Sequence, residues 1–185
     1  IRYPEDIYDR VWIPISQPEW KHIKTSQNVV DSMKTYNPPQ DVMKSAVIPN
    51  ISSEPLSYYW NLETSDDETY AFLYIADIQK VGDNEFREFQ ILANGKVDFG
   101  LYTPMKFEVQ TLSNSVPLKC EGGQCRVTLK KSKKSTLPPL MNALELFKVI
   151  EFPQSETNHD DFTAIKNIHA AYGLNRSSWQ GDPCV

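Results

Sequence analysis

The sequence predicts an all-β fold, a β-sandwich of jelly-roll style, followed by one short C-terminal helix. Three observations support this prediction: short segments with alternating apolar and polar residues, turn residues between them, and a change to helical spacing near the end. With 185 residues and 40% hydrophobic content, the chain can bury one sizeable core. We therefore expect a sandwich domain over residues 1–153 and an appendage over residues 154–185.

Alternation of apolar and polar residues locates the strands. Residues 105–111 and 125–130 show the period-2 pattern of strands with one buried face. In residues 69–78 both alternating sets are apolar, which predicts a central strand covered on both faces. Asn94-Gly95 supplies the positive φ angles of a two-residue turn, so residues 86–99 predict a hairpin. Further strands are expected at residues 10–13, 46–48, 56–62 and 143–152.

After Pro153 the pattern changes to that of a helix. Asp160 is a residue type that can cap a helix, and Phe162, Ile165 and Ile168 follow it at helical spacing. Gly173 is placed to end the helix. We expect one short helix outside the sandwich.

The three cysteines bear on the compartment of the protein. Cys120 and Cys125 lie in Cys-Glu-Gly-Gly-Gln-Cys, where a Gly-Gly turn can bring two thiols together across a hairpin, so we expect a disulfide. Cys184 has no obvious partner, and an odd cysteine in a secreted protein indicates a partner outside the chain, here expected just downstream. The alternative is a cytosolic protein with three reduced thiols.

Two N-glycosylation sequons favour an extracellular protein over a cytosolic one. They are Asn50-Ile51-Ser52 and Asn175-Arg176-Ser177, and both lie in loop-like stretches.

Membrane and nucleic-acid binding are not expected of this chain. No segment approaches the roughly 20 apolar residues of a membrane helix, so we expect no direct membrane contact by this chain. A net charge of -5 argues against binding to nucleic acid, which depends on clustered Lys and Arg.

The sequence carries no motif for catalysis, a metal or a cofactor, and we expect none of the three. It has neither a Gly-X-Ser-X-Gly elbow nor a phosphate loop, and its three histidines lie far apart, outside any zinc-binding frame. Loop carboxylates at residues 66–68 and 159–161 leave calcium open, although a solvated surface is favoured. Paired carboxylates for glycoside hydrolysis also stay open, because such pairs form only in space.

The candidate ligand-binding residues are the aromatics Tyr58, Trp60 and Tyr102. An aromatic ring flanked by polar groups can stack on a sugar or anchor a peptide. Alternate strand residues face opposite ways, so Tyr58 and Trp60 share one face of their strand and Tyr59 lies on the other. For each single aromatic, packing in the core is the favoured competing interpretation.

Five blocks of sequence, residues 1–12, 70–79, 85–96, 135–145 and 179–184, carry a resemblance to a known family. In this order they resemble the second, C-terminal malectin-like subdomain of plant malectin-like leucine-rich-repeat receptor kinases. The resemblance implies a malectin-like β-sandwich, preceded by another malectin-like subdomain. It also implies that Gly181-Asp182-Pro183-Cys184 leads into leucine-rich repeats, where Cys184 pairs with a cysteine in their cap.

The resemblance further implies a non-catalytic extracellular module that contributes to ligand or co-receptor binding for transmembrane signalling. The membrane helix and the kinase are expected to lie outside this chain. A peptide or protein ligand is slightly favoured, and the alternative is a lectin-type module for cell-wall glycans or diglucosides. Exposed rings of Tyr58, Trp60 and Tyr102 around a cleft favour the lectin, whereas exposed aromatics on a flat patch favour peptide or co-receptor docking.

Overall fold

The computed structural model describes residues 6–32, 34–64, 66–150 and 157–172 of the chain. The chain forms two compact units, Ile1–Val149 and Ile150–Val185. The first unit holds the sheets, and the second holds a helix. The division that the sequence predicts, after residue 153, stays a prediction.

The first unit consists mainly of antiparallel strands, which confirms the all-β prediction. Its only α-helix among the described residues is a single turn, α1. The elements in chain order are β1 Trp20–Lys24, α1 Gln40–Met43, β2 Ser45–Pro49, β3 Leu56–Asn61, β4 Glu68–Ile75, β5 Phe89–Ala93, β6 Lys96–Tyr102, β7 Gln110–Ser113, β8 Leu118–Lys119, β9 Gln124–Lys131, β10 Ala143–Lys148 and, in the second unit, α2 His159–Tyr172.

Two four-stranded sheets make up most of the first unit. One has the order β3-β9-β5-β6, and the other has the order β10-β4-β7 with β8 also paired to β4. A third, two-stranded sheet of β1 and β2 is linked to the second by an antiparallel bridge between Val47 and Met141. Side chains from all three sheets meet in one hydrophobic core.

Strand β4 is the central strand that the sequence predicts. Leu73, Tyr74 and Ile75 are consecutive and at most 3% exposed, so this part of the strand is covered on both faces. Opposite them, the other sheet contributes Phe89 and Ile91, which are fully buried. Burying a large apolar side chain contributes about 1.5–3 kcal/mol, so this layer is a major source of stability.

The predicted hairpin is also confirmed. Strands β5 and β6 pair in antiparallel fashion around Asn94 and Gly95, whose φ angles are 49° and 81°. Asn94 also ties the turn to the neighbouring strand, because its Oδ1 accepts a hydrogen bond of 2.8 Å from the Arg126 amide.

Several predicted strand limits are wrong. Residues 10–13 are extended but belong to no strand, and β1 was not predicted. The strand predicted at residues 105–111 begins only at Gln110, because Phe107 takes a positive φ of 52° between isolated bridges at Lys106 and Glu108. Strand β4 ends at Ile75, and β10 ends at Lys148.

Helix α2 confirms the helix that the sequence predicts, with one correction at its start. It begins at His159, and the Asn158 side chain accepts a hydrogen bond of 2.9 Å from the Asp160 amide, so Asn158 rather than Asp160 takes the capping role. Ile168 and Tyr172 of its apolar stripe are 53% and 76% exposed. The predicted end at Gly173 lies outside the described residues. Neither helix in the described ranges has the length and apolarity to cross a membrane.

Candidate functional site

A cleft of about 950 Å³ opens in the first unit, between the extended residues 10–15, strands β1 and β2, and the chain from Met141 to Phe147. It lies beside the Val47 to Met141 bridge that links β2 to the second sheet. Strand β10 follows this bridge in the chain, and within the described residues it pairs only with β4, which leaves its other edge open. The cleft is therefore bordered by the open edge of a sheet.

The interior of the cleft is apolar and buried, and its rim is apolar and exposed. Trp20, Ala46 and Val47 line it with at most 9% of their surface exposed. Five of the exposed side chains on the rim are aliphatic or aromatic, with Val11 at 61%, Ile13 at 74%, Ile15 at 38%, Leu146 at 36% and Phe147 at 47%. Such a group of exposed apolar side chains is typical of an interaction surface.

The extended residues 11–16, which we call the rim segment, are anchored by a buried carboxylate just before them. Asp6 is 1% exposed and accepts hydrogen bonds from the Tyr8 amide, the Arg10 guanidinium and the Trp12 indole at 2.8, 2.8 and 2.5 Å. Burial opposes ionisation of Asp6, but these hydrogen bonds outweigh it and hold the pKa of the carboxyl below its ordinary value.

Arg10 continues this network across the cleft. Its guanidinium donates to Glu145 of β10 at 3.0 Å and to the Asn37 carbonyl at 2.9 Å. Glu145 also accepts a hydrogen bond from the phenol of Tyr74. Burial is the larger cause, and this hydrogen bond the next, of a pKa of Tyr74 above its ordinary value. The charge of Glu145 is thus matched inside the protein.

The remaining charges of the cleft are mostly positive. Lys24 is exposed and makes no ion pair within the described ranges, and His22 is exposed two residues before it. Lys44 lies 3.9 Å from Asp41, a loose pair in which Asp41 is 72% exposed. These side chains therefore favour an anionic group in the cleft over a cationic one.

The three predicted aromatic site residues lie on the core-facing side of one sheet. Tyr58 and Trp60 of β3 stack with ring centroids 6.4 Å apart and planes at 20°, whereas Tyr102 is on β6. Strands β9 and β5 separate β3 from β6, a distance of roughly 14 Å across the sheet. Only Tyr58 lines the cleft.

Each of these rings is partly buried against the core. Tyr102 packs on Phe89 with centroids 5.7 Å apart and donates to Gln110, and burial raises the pKa of its phenol. Tyr59, on the opposite face of β3, is 48% exposed and lies under Arg126. The three aromatics therefore do not form a single exposed ring around the cleft, and their role in binding stays a prediction.

The predicted covalent features fall partly within the described residues. Cys120 and Cys125 form a disulfide, with Cα atoms 5.1 Å apart. Gly122 and Gly123 between them take φ angles of 70° and 75°, which favour glycine. Asn50 is exposed and donates to the Pro18 carbonyl at 2.8 Å. Asn175 and Cys184 lie outside the described residues.

Carboxylates that could bind calcium do not converge. Over the described ranges, no group of three or more His, Cys, Asp and Glu side chains is placed to hold a metal ion. Asp67 instead accepts from Lys148 at 3.0 Å and from the Thr64 amide at 3.0 Å.

Sequence reasoning missed Lys24 and the rim residues Val11, Ile13 and Ile15 as parts of a site. The sequence predicts a strand at residues 10–13, and a strand is expected to be paired. The strand pairing in the fold, and not the pattern, leaves these residues exposed beside a cleft.

Comparison with known proteins identifies the family. The model of the malectin-like domain matches residues 1–149. A leucine-rich repeat receptor-like serine/threonine-protein kinase of Arabidopsis thaliana is 64% identical over 185 residues, an alignment that covers 100% of this chain and 21% of the relative. The chain thus spans about a fifth of the length of the relatives it matches.

Solved structures show the same fold. The ANXUR2 extracellular domain from Arabidopsis thaliana superposes with a TM-score of 0.58 at 16% identity, over 71% of this chain and 39% of that one. A structure described as plant peptide RALF23 in complex with FER and LLG2 gives a TM-score of 0.52 at 14% identity, over 70% and 38% of the two chains. At these identities the likeness concerns the fold alone. Because the family model accounts for most of its length, the chain belongs to the malectin-like family.

Proposed function

We propose that this chain is a non-catalytic recognition module in the extracellular part of a receptor-like kinase, where it contributes to ligand or co-receptor binding for transmembrane signalling. The observation that carries this proposal is the match along the whole chain to relatives named receptor-like kinases. The aligned region covers only 21% of each relative. The Cys120–Cys125 disulfide and the exposed sequon at Asn50 support an extracellular location.

A peptide or protein ligand is favoured by the chemistry of the cleft. Four of the five exposed apolar residues on its rim, Val11, Ile13, Ile15 and Leu146, are aliphatic; only Phe147 has a ring. Aliphatic side chains pack against apolar peptide side chains but lack the flat ring that stacks on a sugar. One structure of the same fold is described as a complex with the plant peptide RALF23. It supports peptide recognition as a use of this fold.

The proposed neighbours of the module belong to the parent protein. We infer that a preceding malectin-like subdomain and following leucine-rich repeats flank it, with Cys184 paired to a cysteine of the repeats. The coverage of only 39% of the ANXUR2 extracellular domain supports a second subdomain. In this arrangement the membrane helix and the kinase belong to other parts of the protein.

A lectin-type module for cell-wall glycans or diglucosides is the second candidate. One observation favours it: Tyr58 lines the cleft beside Trp20, with ring centroids 6.4 Å apart. A sugar that entered the cleft could stack on this ring.

The test is a binding screen of the 185-residue chain by glycan array and isothermal calorimetry. Cell-wall oligosaccharides and diglucosides form one arm, and synthetic peptides form the other. Saturable binding of a glycan that is lost in Tyr58→Ala but kept in Tyr59→Ala overturns the peptide preference and makes the chain a lectin. Saturable peptide binding with no response to glycans is the expected result.

A further inference from the structure

We propose that an extended peptide with alternating apolar side chains and an acidic group binds along the rim segment and pairs with it as an added β-strand. This inference rests on the proposed recognition function and gives it a place and a ligand chemistry. The occupant is an extended peptide, and not a sugar.

The backbone of the rim segment is available for such pairing. Val11, Ile13 and Ile15 make no backbone hydrogen bond to any residue that the structure describes. An extended segment with unpaired N–H and C=O groups is a ready template for another strand, and peptides use it in β-strand addition.

Pro14 determines which edge of the rim segment can pair. In a strand, the N–H groups of alternate residues point to the same edge. Pro14 has no N–H, so the edge formed by the even-numbered residues lacks a donor. The edge formed by Val11, Ile13 and Ile15 keeps all three donors and is the one that we assign to the peptide.

The side chains of the rim segment are also compatible with a peptide paired along this edge. Trp12 is half-buried, with its ring at 76° and 5.8 Å from that of Tyr74, so it holds the segment on the fold. Val11 and Ile13 on either side of it are more than half exposed. Apolar side chains at every second position of a peptide can therefore cover them in cross-strand pairs.

The rim segment is also held in place before any ligand arrives. The buried Asp6 carboxylate binds both Arg10 and Trp12, and Arg10 is joined to Glu145 of β10. A segment that is already ordered loses little conformational entropy when a strand is added to it.

The acidic group follows from charge complementarity within the cleft. Lys24 and His22 line the cleft and are exposed, and Lys24 has no ion-pair partner among the described residues. Glu145, an acidic side chain that lines the cleft, is already bound to Arg10 at 3.0 Å. A peptide carboxylate would be attracted to Lys24, and a peptide lysine would not.

The experiment uses three synthetic octapeptides, N-acetylated and C-amidated so that only side chains carry charge, titrated into the 185-residue chain by calorimetry. The first alternates Val, Ile or Leu with Ser or Thr and ends in Asp-Glu; the second ends in Lys-Lys instead. The third equals the first but is N-methylated at every residue from the second to the sixth, which blocks both backbone edges and keeps the side chains. We expect the first peptide to bind at least tenfold more tightly than either of the others.

Matched variants locate the site. Ile13→Glu should weaken the acidic peptide at least tenfold, whereas Val116→Glu, at a residue 66% exposed outside the cleft, should leave its affinity unchanged. Lys24→Glu should reverse the preference between the acidic and basic peptides, and Lys130→Glu, at an exposed lysine elsewhere, should not. Circular dichroism melts of each variant show that the fold is intact.

Four results would overturn this proposal. Equal affinity of the N-methylated peptide excludes strand addition, and unchanged binding by Ile13→Glu or Lys24→Glu moves the site elsewhere, although peptide recognition itself would stand. Absence of binding by all three peptides, together with saturable glycan binding, removes the peptide preference as well. A dimer that Ile13→Glu dissociates, without peptide binding, assigns the rim segment to a second copy of the chain.

Discussion

Asp6, Asp77 and Arg87 are charged residues that the fold buries almost completely, with at most 2% of each exposed. None of the three lies in one of the strands β1–β10, and the side chain of each makes hydrogen bonds to neighbouring groups. Arg87 donates to Asp77 at 2.9 Å, to the Gln79 side chain at 2.6 Å and to the Pro138 carbonyl. These residues join the loops around the sandwich to its core.

Removal of the Arg87 guanidinium should strongly destabilise the protein. In Arg87→Met the Asp77 carboxylate stays buried without its cation, a change that costs about 3–5 kcal/mol. Urea unfolding followed by tryptophan fluorescence measures this loss. The control is Arg126→Met, in which a half-buried arginine over the Tyr59 ring is lost, and it should cost about 1 kcal/mol or less. Equal losses in the two variants would contradict a special role of the buried pair.

Asp6 should make stability depend on pH. Because hydrogen bonds hold its pKa below the ordinary value in the folded protein, its ionised form stabilises the fold at neutral pH. This contribution is lost as the pH falls from the ordinary value, 3.8, through the lower folded value. Asp6→Asn should therefore be less stable than the natural protein at pH 7, with a smaller difference near pH 3.

The measurement is urea unfolding at pH 7, 5 and 3. Asp41→Asn is the control, because Asp41 is 72% exposed and its pair with Lys44 is loose at 3.9 Å. It should follow the natural protein within about 0.5 kcal/mol at each pH. A constant offset between Asp6→Asn and the natural protein at all three pH values would show that the Asp6 charge does not cause the effect.

At the scale of single elements, the short connections are those for which local sequence carries the most information. The Asn94-Gly95 turn joins β5 to β6 as predicted, since its two residues tolerate positive φ. The Cys120 to Cys125 loop joins β8 to β9 through two glycines with positive φ. Both connections are set by residues only a few positions apart.

The disulfide should add measurable stability to its loop. Closure of a loop between cysteines five positions apart restricts the unfolded chain, and its loss is expected to cost about 2 kcal/mol. We compare Cys120→Ala/Cys125→Ala with the parent in a Cys184→Ala background, so that the third thiol cannot exchange. Mass spectrometry of non-reduced peptides should show the Cys120 to Cys125 link. A free Cys120 in oxidised protein would contradict both the link and the extracellular argument built on it.

At the scale of the whole molecule, the cleft results from how the sheets are joined. Val47 and Met141 form the bridge between β2 and the second sheet although they are far apart in sequence. The open edge of β10 and the rim segment then border the same space. A recognition surface is thus created between elements, and no single element contains it.

Glycosylation tests the proposed extracellular location of the whole chain. Asn50 is exposed, and a glycan replaces one of the two amide hydrogens, which leaves the other for the Pro18 carbonyl. Protein secreted from a eukaryotic host should carry a glycan at Asn50 that Asn50→Gln removes, as seen by intact mass with and without glycosidase. Asn61→Gln, at an exposed asparagine without a sequon, should change nothing. An unmodified Asn50 in secreted protein would count against the location.

Much of the fold was predictable because strand periodicity and turn chemistry are local properties. The alternation around β3, β9 and β10, the two-sided burial of β4, the hairpin and α2 each follow from neighbouring residues. The five blocks of family resemblance added that the predicted sandwich is malectin-like. The candidate site was much less predictable, because it depends on which elements lie next to one another.

The sequence by itself determined which residues face the core, where the chain turns and which family it resembles. The tertiary structure alone decided that Tyr58 and Tyr102 lie at opposite edges of one sheet, and that residues 10–13 belong to no strand. It also decided that Phe107 breaks the strand expected at residues 105–111. The physical reason is that periodicity reports which side of an element is buried, whereas strand order depends on contacts between residues distant in sequence.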